Sequence, residues 1–427
     1  MLIVKGAGPE WRAYGYLPFI AALGYATSVI HVYSLGPFIA PLQEAFGWSR
    51  AQISFGLTIS SFISAIFCIP MGMLVDRIGP RRIGLVGVLL MTGAFAMLGT
   101  ASGSITNWAL LWVLISIATL GVQATVWTSA INGRFEKSRG LALAITLSGA
   151  SLSAALFPLL ATWLITHYGW RMGFFGLGGI WAAMAFPFLL LFFRGAQEEL
   201  KTKAATTATP EVARVLTGLT LGEGLRTLAL YKLLMAAGLF SFTAIGAVVH
   251  FVPILTGAGA SPLEAAGIAA LVGIFSIIGR LGTGFLLDRF PAQHVGAIAF
   301  LLPVVGFSLL LLDGSNPVYQ MLAAATLGLT VGAEVDVIAY LAARYFGLKS
   351  FGALYGAMVM ALALGTSFGP LTAGAIYDIQ GSYLTFLVIN IVLMGASAVA
   401  LFSLGRPPVF DVASLAATDD TRDPAAT

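Results

Sequence analysis

Long apolar runs divide the chain into segments that are separated by short polar or charged stretches. Each run has about the 20 residues that a helix needs to cross the hydrocarbon core of a bilayer. Because lipid offers no partner for unpaired backbone groups, we expect every run to be helical. Twelve spans are predicted, with both termini on one side: 14–40, 53–75, 83–102, 106–132, 139–167, 171–193, 230–256, 263–287, 294–313, 317–345, 350–378 and 382–404.

The longest connection between runs lies in the middle of the chain and separates six predicted spans from six. We therefore predict an N-terminal six-helix half at 1–193, a linker at 194–229, a C-terminal six-helix half at 230–404 and a tail at 405–427. The tail ends with three aspartates, and its composition predicts a disordered, solvated segment. No cleavable signal pattern precedes the first span, so we expect that span to be retained.

Charged residues make up only 9% of the chain, whereas soluble proteins have about a quarter. This excludes a soluble enzyme. With the N-terminus in the cytoplasm, all but three of the 22 Lys and Arg residues fall on the cytoplasmic side. Arg50 and Arg171 fall outside, and Arg280 falls within a span. The positive charge is therefore a topology signal rather than a nucleic-acid footprint, and it predicts a multi-pass protein of the cell (inner) membrane with both termini cytoplasmic.

The two halves of the chain repeat at one constant offset of 212 residues. The matched pairs are Pro41 and Pro253, Ser49 and Ser261, Gly72 and Gly284, Asp76-Arg77 and Asp288-Arg289, Lys137 and Lys349, Gly140 and Gly352, Pro158 and Pro370, and Gly169 and Gly381. A single offset across five spans predicts two parallel six-helix repeats with a cavity at their interface.

The loop between spans two and three holds the sequence Gly72-Met-Leu-Val-Asp-Arg-Ile-Gly-Pro-Arg-Arg82, and 282–289 is its partial echo in the second half. This stretch resembles the loop signature of the major facilitator superfamily, over a chain that fits the family throughout. The resemblance implies a fold of twelve helices in two halves. A carboxylate near helix ends and basic loop residues can hold one conformation and release in the other, so we predict a conformational gating role for five residues. These are Asp76, Arg77, Arg81, Asp288 and Arg289.

Two further stretches narrow the resemblance to one branch of that family. Residues 134–144 resemble the loop after span four in the monocarboxylate and oxalate–formate transporters, and 344–356 with Gly369-Pro370 resemble that branch's later loop and eleventh span. Drug-exporter branches usually carry an Arg in span four and a Gly-Pro pair in span five. Here span four has no Arg, and span five has Phe157-Pro158, which argues against a drug exporter.

Three intramembrane charges have no charged mate at the 212 offset, namely Arg280, Glu334 and Asp336. Such a group costs roughly 2.5–3.5 kcal/mol on insertion scales, which motivates a functional hypothesis. Counting from the cytoplasmic helix ends at 1.5 Å per residue places all three about 12–15 Å deep. Their positions two residues apart put Glu334 and Asp336 about 200° apart around one helix, so both cannot face the same partner equally.

The functional interpretation is that Arg280 binds a substrate carboxylate and that Glu334 and Asp336 couple it to protons. The resemblance implies a functional Arg in span eight. Its animal monocarboxylate relatives have an Asp one turn earlier, where this chain has Ser276, and the resembled oxalate transporter has a second cation in span eleven, which is missing here. A single cation favours a monoanion. The alternative is a fixed ion-pair network that only closes the bundle.

Four other polar or aromatic residues within spans are candidates for the substrate cavity. His31 and His250 are of the type that relays protons near neutral pH, although they also suit plain hydrogen bonding between helices. Gln123 and Trp127 lie one turn apart on span four, which lines the cavity in such transporters. Trp127 suits stacking on the apolar body of a substrate, although an aromatic side chain at such a position more often packs between helices.

The sequence has no nucleotide-binding loop, no metal-spaced Cys or His pair and no catalytic triad, so we expect no enzyme activity, no cofactor and no metal. We therefore predict a secondary transporter for proton-coupled symport of a small organic monocarboxylate, with protons, the carboxylate and the bilayer as partners. The alternatives are an anion antiporter of the oxalate–formate type, a drug exporter and a carboxylate-sensing receptor.

Overall fold

A computed structural model describes residues 8–132, 134–135, 138–193, 218–347 and 349–408, apart from the side chains of Ile69 and Asp76. Most of the predicted linker and tail lies outside the described residues. The described chain is almost entirely helical. Its helices are α1 (Gly8–Tyr14), α2 (Leu17–Ser28), α3 (Ile30–Phe46), α4 (Arg50–Ile78), α5 (Pro80–Met97), α6 (Ile105–Leu120), α7 (Ala124–Asn132), α8 (Arg139–Leu147), α9 (Gly149–Phe192), α10 (Leu221–Leu225), α11 (Leu228–Gly257), α12 (Pro262–Leu287), α13 (Ala292–Leu312), α14 (Pro317–Phe346), α15 (Phe351–Gln380) and α16 (Leu384–Phe402).

The helices long and apolar enough to span a bilayer match the predicted spans. Ten segments of the described chain qualify alone, and α2 and α3 qualify together as a pair bent by 42°. One of the ten, Arg139–Phe192, has 54 residues and is interrupted at Gly169, whose φ of 79° and ψ of 165° are not helical. This segment therefore supplies two of the predicted spans, and the prediction of an all-helical membrane protein is confirmed.

Three predicted spans are divided between two helices: the first, the fourth and the fifth, which passes from α8 to α9 at Ser148. The first is bent at Val29, where the φ of −114° and ψ of 10° leave the helical region. The fourth is interrupted at 121–123, between α6 and α7. There, the backbone of Gly121 lies so close to Gly87 that no side chain would fit between them. Hydropathy indicates which segments suit the lipid, but it says nothing about the direction of the backbone. It therefore predicts none of these breaks.

The 212-residue repeat recurs in the backbone geometry. Gly47 and Gly259 have φ values of 67° and 103°, and Gly169 and Gly381 have 79° and 67°. These left-handed conformations favour glycine because it has no Cβ. Capping boxes also begin α4 at Ser49 and α12 at Ser261, the same distance apart. The two halves therefore share their turns as well as their apolar pattern.

Each half has a hydrophobic core of its own. One core draws nearly all of its buried residues from 17–193 and contains four fully buried tryptophans: Trp108, Trp112, Trp127 and Trp181. The other core lies within 230–401 and includes Phe240 and Phe300, whose rings stack at 4.7 Å. Since the two cores hardly mix, the halves are two packed units that meet along an interface.

The halves meet mainly near one side of the molecule. We call the side with Gly8 and Arg406 the terminal face, and the side with Gly47 and Gly381 the far face. Among the described residues, the hydrogen bonds between α4 and α15 lie in the part of each helix nearer the far face, as with Thr58 Oγ1 and the Ser367 carbonyl at 2.6 Å. The described interface is therefore closed at the far face.

Candidate functional site

The candidate site begins with an unusually close approach of α12 and α14. A Cβ on Gly332 would overlap the carbonyl oxygen of Ser276, and one on Gly279 would overlap the carbonyl oxygen of Leu329. With no side chain between them, the two backbones touch, as small residues allow in membrane helix packing. Arg280 follows Gly279 directly, so this contact fixes where the arginine leaves its helix.

Arg280 and Asp336 form an ion pair beside this contact. The Nη1 atom of Arg280 lies 3.4 Å from Oδ1 and 3.5 Å from Oδ2 of Asp336. The arginine is 7% exposed and the aspartate 32%. The Nε atom of Arg280 is buried and has no hydrogen-bond partner among the described residues. The structure thus brings these two residues to one depth, as the sequence predicted, and leaves part of the guanidinium unused.

Glu334 lies on α14 within electrostatic range of both members of this pair. Among the described residues, it forms no hydrogen bond and no ion pair. Its charge and that of Arg280 also act on the phenols of Tyr25 and Tyr33, on the bent first span of the other half. Tyr355 on α15 is within range of Glu334 as well. The cluster therefore lies between the two halves of the molecule.

One turn before Arg280, the halves are in direct contact. The hydroxyl oxygen of Ser276 lies 2.8 Å from that of Ser151 on α9. A small, mostly apolar pocket lies next to this contact, and Tyr33 belongs to both the pocket and the charged cluster. Its lining consists of Tyr33, Gly36, Pro37, Ala154, Pro158, Val248, Phe251, Val252, Ala269 and Val272.

Trp127 is placed inside the N-terminal core rather than at the cavity. Its ring is fully buried, fills the space left by Gly24 and Gly84, and donates from Nε1 to the Val122 carbonyl at 2.8 Å. Gln123 is half-buried at the break between α6 and α7. The sequence predicted both residues as cavity lining, and the structure brings neither into contact with Arg280.

The two candidate histidines also lie apart from Arg280. His31 is 5% exposed, with Nε2 3.4 Å from Ser60 Oγ and its ring edge-on to Trp112. His250 is fully buried where α11 meets α4 and α15, near the far face. Its contacts belong to a second polar cluster between the halves.

Sequence reasoning missed the partners of His250 in this second cluster. Tyr383 bonds His250 directly, whereas Arg50 and Asp378 join the cluster through Tyr383 and through the backbone of Arg50. All three lie at helix ends and would ordinarily be taken for solvated residues. One signal was present. Arg50 is one of only two basic residues that the charge distribution places outside, so its position needs a reason other than topology.

The predicted gating residues lie at the terminal face, at or just beyond the ends of α4, α5 and α12. They are Asp76, Arg77, Arg81, Asp288 and Arg289. The side chain of Asp76 is outside the described ones. Arg81 donates from Nη2 to the Leu190 carbonyl at 2.9 Å, and the guanidinium of Arg289 lies 3.5 Å above the centre of the Phe285 ring. Their role in gating stays a prediction. Among the described residues, no group of three or more His, Cys, Asp or Glu side chains would hold a metal.

Known proteins resemble this chain in sequence and in fold. Monocarboxylate transporter 13 of Rattus norvegicus is 26% identical over 93% of this chain and 91% of its own length. A chloramphenicol resistance protein of Streptomyces lividans is 28% identical over 84% and 87%. A bacterial homologue of the human lysosomal transporter Spinster, crystallised in an inward-facing, occupied conformation, superposes with a TM-score of 0.70 at 18% identity, over 96% of this chain and 99% of its own.

The family model described as Major Facilitator Superfamily matches residues 21–334, which is well over half of the chain. The relatives differ in the compounds that their names mention, so the match assigns the family and not the substrate. The chain belongs to the Major Facilitator Superfamily, and it is a multi-pass membrane transporter rather than an enzyme.

Proposed function

We propose that this transporter moves a small organic monocarboxylate together with a proton, by alternating access through rocking of its two halves. The observation that supports this most is the state of Arg280. It is a buried cation between the halves, and within the described chain it is held by one carboxylate while its Nε has no hydrogen-bond partner. A buried cation that is only partly paired is a candidate anion site.

The contact between Arg280 and Asp336 is weaker than such pairs can be. Charge-assisted N–H···O bonds are usually about 2.7–2.9 Å, and arginine commonly binds a carboxylate through two parallel bonds. Here one nitrogen, Nη1, lies 3.4 and 3.5 Å from the two oxygens. A substrate carboxylate that bound to Nε and one Nη of Arg280 would form the two parallel hydrogen bonds that Asp336 does not form.

The charge balance of the cluster links the substrate to protons. Arg280 carries one positive charge, whereas Glu334 and Asp336 ionised together carry two negative charges. An incoming anion would then enter a site of net negative charge. Protonation of Asp336 neutralises its carboxylate and ends the ion pair with Arg280. The guanidinium is then available to the substrate anion, so the proton and the anion bind together. Glu334, within range of the same guanidinium, is a second candidate for holding a proton.

The surroundings favour a monoanion with a small body. No Lys or Arg occurs in α15, and the phenols of Tyr25, Tyr33 and Tyr355 are neutral hydrogen-bonding groups. The adjoining pocket offers a largely apolar wall. One cation cannot balance the two charges of a dianion, so a monocarboxylate fits this arrangement better than oxalate.

We further propose that the terminal face is cytoplasmic, in the cell (inner) membrane. The charge distribution supports this orientation, since most Lys and Arg residues of the described chain lie at that face. With the far face closed, the site would then be reached from the cytoplasm. Arg77, Arg81, Asp288 and Arg289 lie at helix ends on this face, where contacts between the halves would be made and broken during rocking.

Uptake into proteoliposomes tests this function. With an inward proton gradient, the purified protein should accumulate labelled short-chain, hydroxy or aromatic monocarboxylates, and neither oxalate nor chloramphenicol. Arg280→Lys should reduce uptake about 10- to 100-fold, because a charge-assisted hydrogen bond contributes about 1.5–3 kcal/mol. Arg226→Lys, at an exposed arginine, is the matched control and should leave uptake unchanged.

Three outcomes would contradict the proposal. Wild-type uptake by Arg280→Lys would remove this residue from the site. Exchange of oxalate for a monocarboxylate without a proton gradient would favour the anion antiporter. Proton-driven movement of chloramphenicol, with no monocarboxylate flux, would favour a drug exporter.

A further inference from the structure

A polar cluster closes the interface between the halves near the far face. The Asp378 carboxylate accepts hydrogen bonds from the backbone N–H groups of Arg50 and Ala51, each at 2.9 Å. The Arg50 guanidinium lies 3.4 Å above the centre of the Tyr377 ring, and its Nη1 lies 2.6 Å from Tyr383 Oη. We call these residues, together with His250, the far-face gate.

His250 is the buried end of this gate. Its Nδ1 lies 2.7 Å from Tyr383 Oη, and its Nε2 lies 2.9 Å from the Pro370 carbonyl oxygen and 3.2 Å from Ser54 Oγ. Ser54 belongs to the N-terminal half, whereas His250, Pro370 and Tyr383 belong to the C-terminal half. The histidine therefore lies on the line where the two halves separate when the far face opens.

The chemistry of its neighbours fixes the hydrogens on this histidine. A carbonyl oxygen only accepts, so Nε2 carries a hydrogen and donates it to Pro370. A guanidinium only donates, so Tyr383 Oη accepts from Arg50 and directs its own hydrogen to Nδ1 of His250. The chain of bonds from Arg50 to Pro370 is complete only when Nδ1 is unprotonated and His250 is neutral.

Protonation of His250 would break this chain. A hydrogen on Nδ1 would point at the same Tyr383 oxygen that already accepts from Arg50, and the phenolic hydrogen would lose its acceptor. An imidazolium would also face the guanidinium of Arg50 at short range, and like charges disfavour each other. Buried polar groups without partners destabilise the state that contains them.

We propose that His250 makes the far-face gate proton-sensitive: the closed gate requires neutral His250, and protonation shifts the transporter toward the form that is open at the far face. This goes beyond the proposed proton site at Asp336 and Glu334, because it places a second protonation event at the gate. A proton taken up there must leave His250 before the gate closes.

Other charged and titratable groups lie around His250, and any of them that titrates at the gate could also cause a response to pH. From α4 it faces Arg50, from the end of α15 it faces Asp378, and before α16 it faces Tyr383; α11 itself contributes none among its described neighbours. The Asp378 carboxylate is held by two backbone amides rather than by the imidazole. Protonation of Asp378 would also loosen the gate, so the test must separate the two residues.

Electron spin resonance distances between the far ends of the halves measure gate opening without substrate. Labels are attached at Thr106→Cys and Val318→Cys, both exposed, in a Cys68→Ser background. Changing the buffer from about pH 8 to about pH 5 spans the range in which histidine ordinarily titrates. We expect the long-distance population to rise several-fold on acidification, and His250→Gln to lose this rise.

Matched variants decide between the sources of a pH response. His31→Gln removes the other buried histidine and should keep the rise, as should Asp378→Asn. Tyr383→Phe removes the crowded oxygen and should weaken the rise, which tests the idea independently if His250→Gln fails to fold. A full rise in either His250→Gln or Tyr383→Phe would overturn the proposal, as would its loss in Asp378→Asn alone. Since no substrate is present, these outcomes are independent of whether carboxylates are transported.

Discussion

At the scale of single residues, Arg280 shows what a sequence does and does not reveal. Its depth follows from counting residues along helices of fixed rise, and the ion pair with Asp336 lies where that count predicts. Which carboxylate pairs with it depends on helix rotation, and the sequence left that choice open. The sequence allowed packing of Trp127 but could not place it, because its burial depends on two glycines, Gly24 and Gly84, far apart in the chain.

The ion pair yields a prediction for Asp336. Asp336→Asn removes the carboxylate that competes for Arg280, and an amide does not titrate in this range. The variant should exchange labelled monocarboxylate across the membrane but lose accumulation under a proton gradient, by 10-fold or more. Counterflow and gradient-driven uptake, measured on the same proteoliposomes, separate the two activities.

Glu334→Gln is the comparison for that variant, since Glu334 has the same charge but makes no direct contact with Arg280 in the described structure. Uncoupling in Glu334→Gln with normal accumulation in Asp336→Asn would move the proton site to Glu334. Normal accumulation in both variants would exclude these carboxylates as the coupling groups.

At the scale of helices, the predicted spans agree with the structure because hydropathy and bilayer thickness together constrain both length and class. The breaks at Val29, at 121–123 and at Ser148 were not predicted, because no apolar pattern reports backbone direction. The face of each helix that touches another was also not predicted. Glycines mark that face in α14, where Gly328 and Gly332 lie against α12, but many other glycines of this chain contact nothing.

Gly332 therefore supports a prediction about helix packing. A Cβ there would overlap the Ser276 carbonyl and force α14 away from α12, separating Asp336 from Arg280. Gly332→Ala should abolish most transport and lower the thermal unfolding midpoint in detergent. Gly282→Ala, on α12 with nothing within 4 Å of its Cβ, is the matched control. There, alanine should leave transport intact and favour the helix by roughly 0.5–1 kcal/mol. Equal effects of the two variants would contradict this role for the contact.

At the scale of the whole molecule, function depends on two units that pack separately and meet along one interface. The cores of the halves share almost no residues, while the charged cluster and the far-face gate both contain residues from each half. A rigid rocking motion would thus preserve each core and alter the contacts between the halves, these shared clusters among them. The repeat in the sequence predicted the two units, but not which residues join them.

Charge accounting gives a prediction for the complete transport cycle. One proton moving with one monoanion carries no net charge, whereas the membrane potential contributes about 2.3 kcal/mol per elementary charge per 100 mV. A pH gradient alone should drive uptake into proteoliposomes, and a potassium-diffusion potential at equal pH should not. Uptake driven by the potential would indicate another stoichiometry or a dianionic substrate.

The anchoring of Asp378 has a consequence for how this protein tolerates sequence change. On one side the contact is made by backbone N–H groups, at Arg50 and Ala51, and every amino acid except proline supplies such a group. Drift at these two positions would therefore leave this part of the closed interface intact, while the whole constraint falls on the single carboxylate opposite. The evolutionary constraint on this contact is therefore asymmetric. The N-terminal half contributes only its backbone conformation, whereas the C-terminal half must keep a particular side chain.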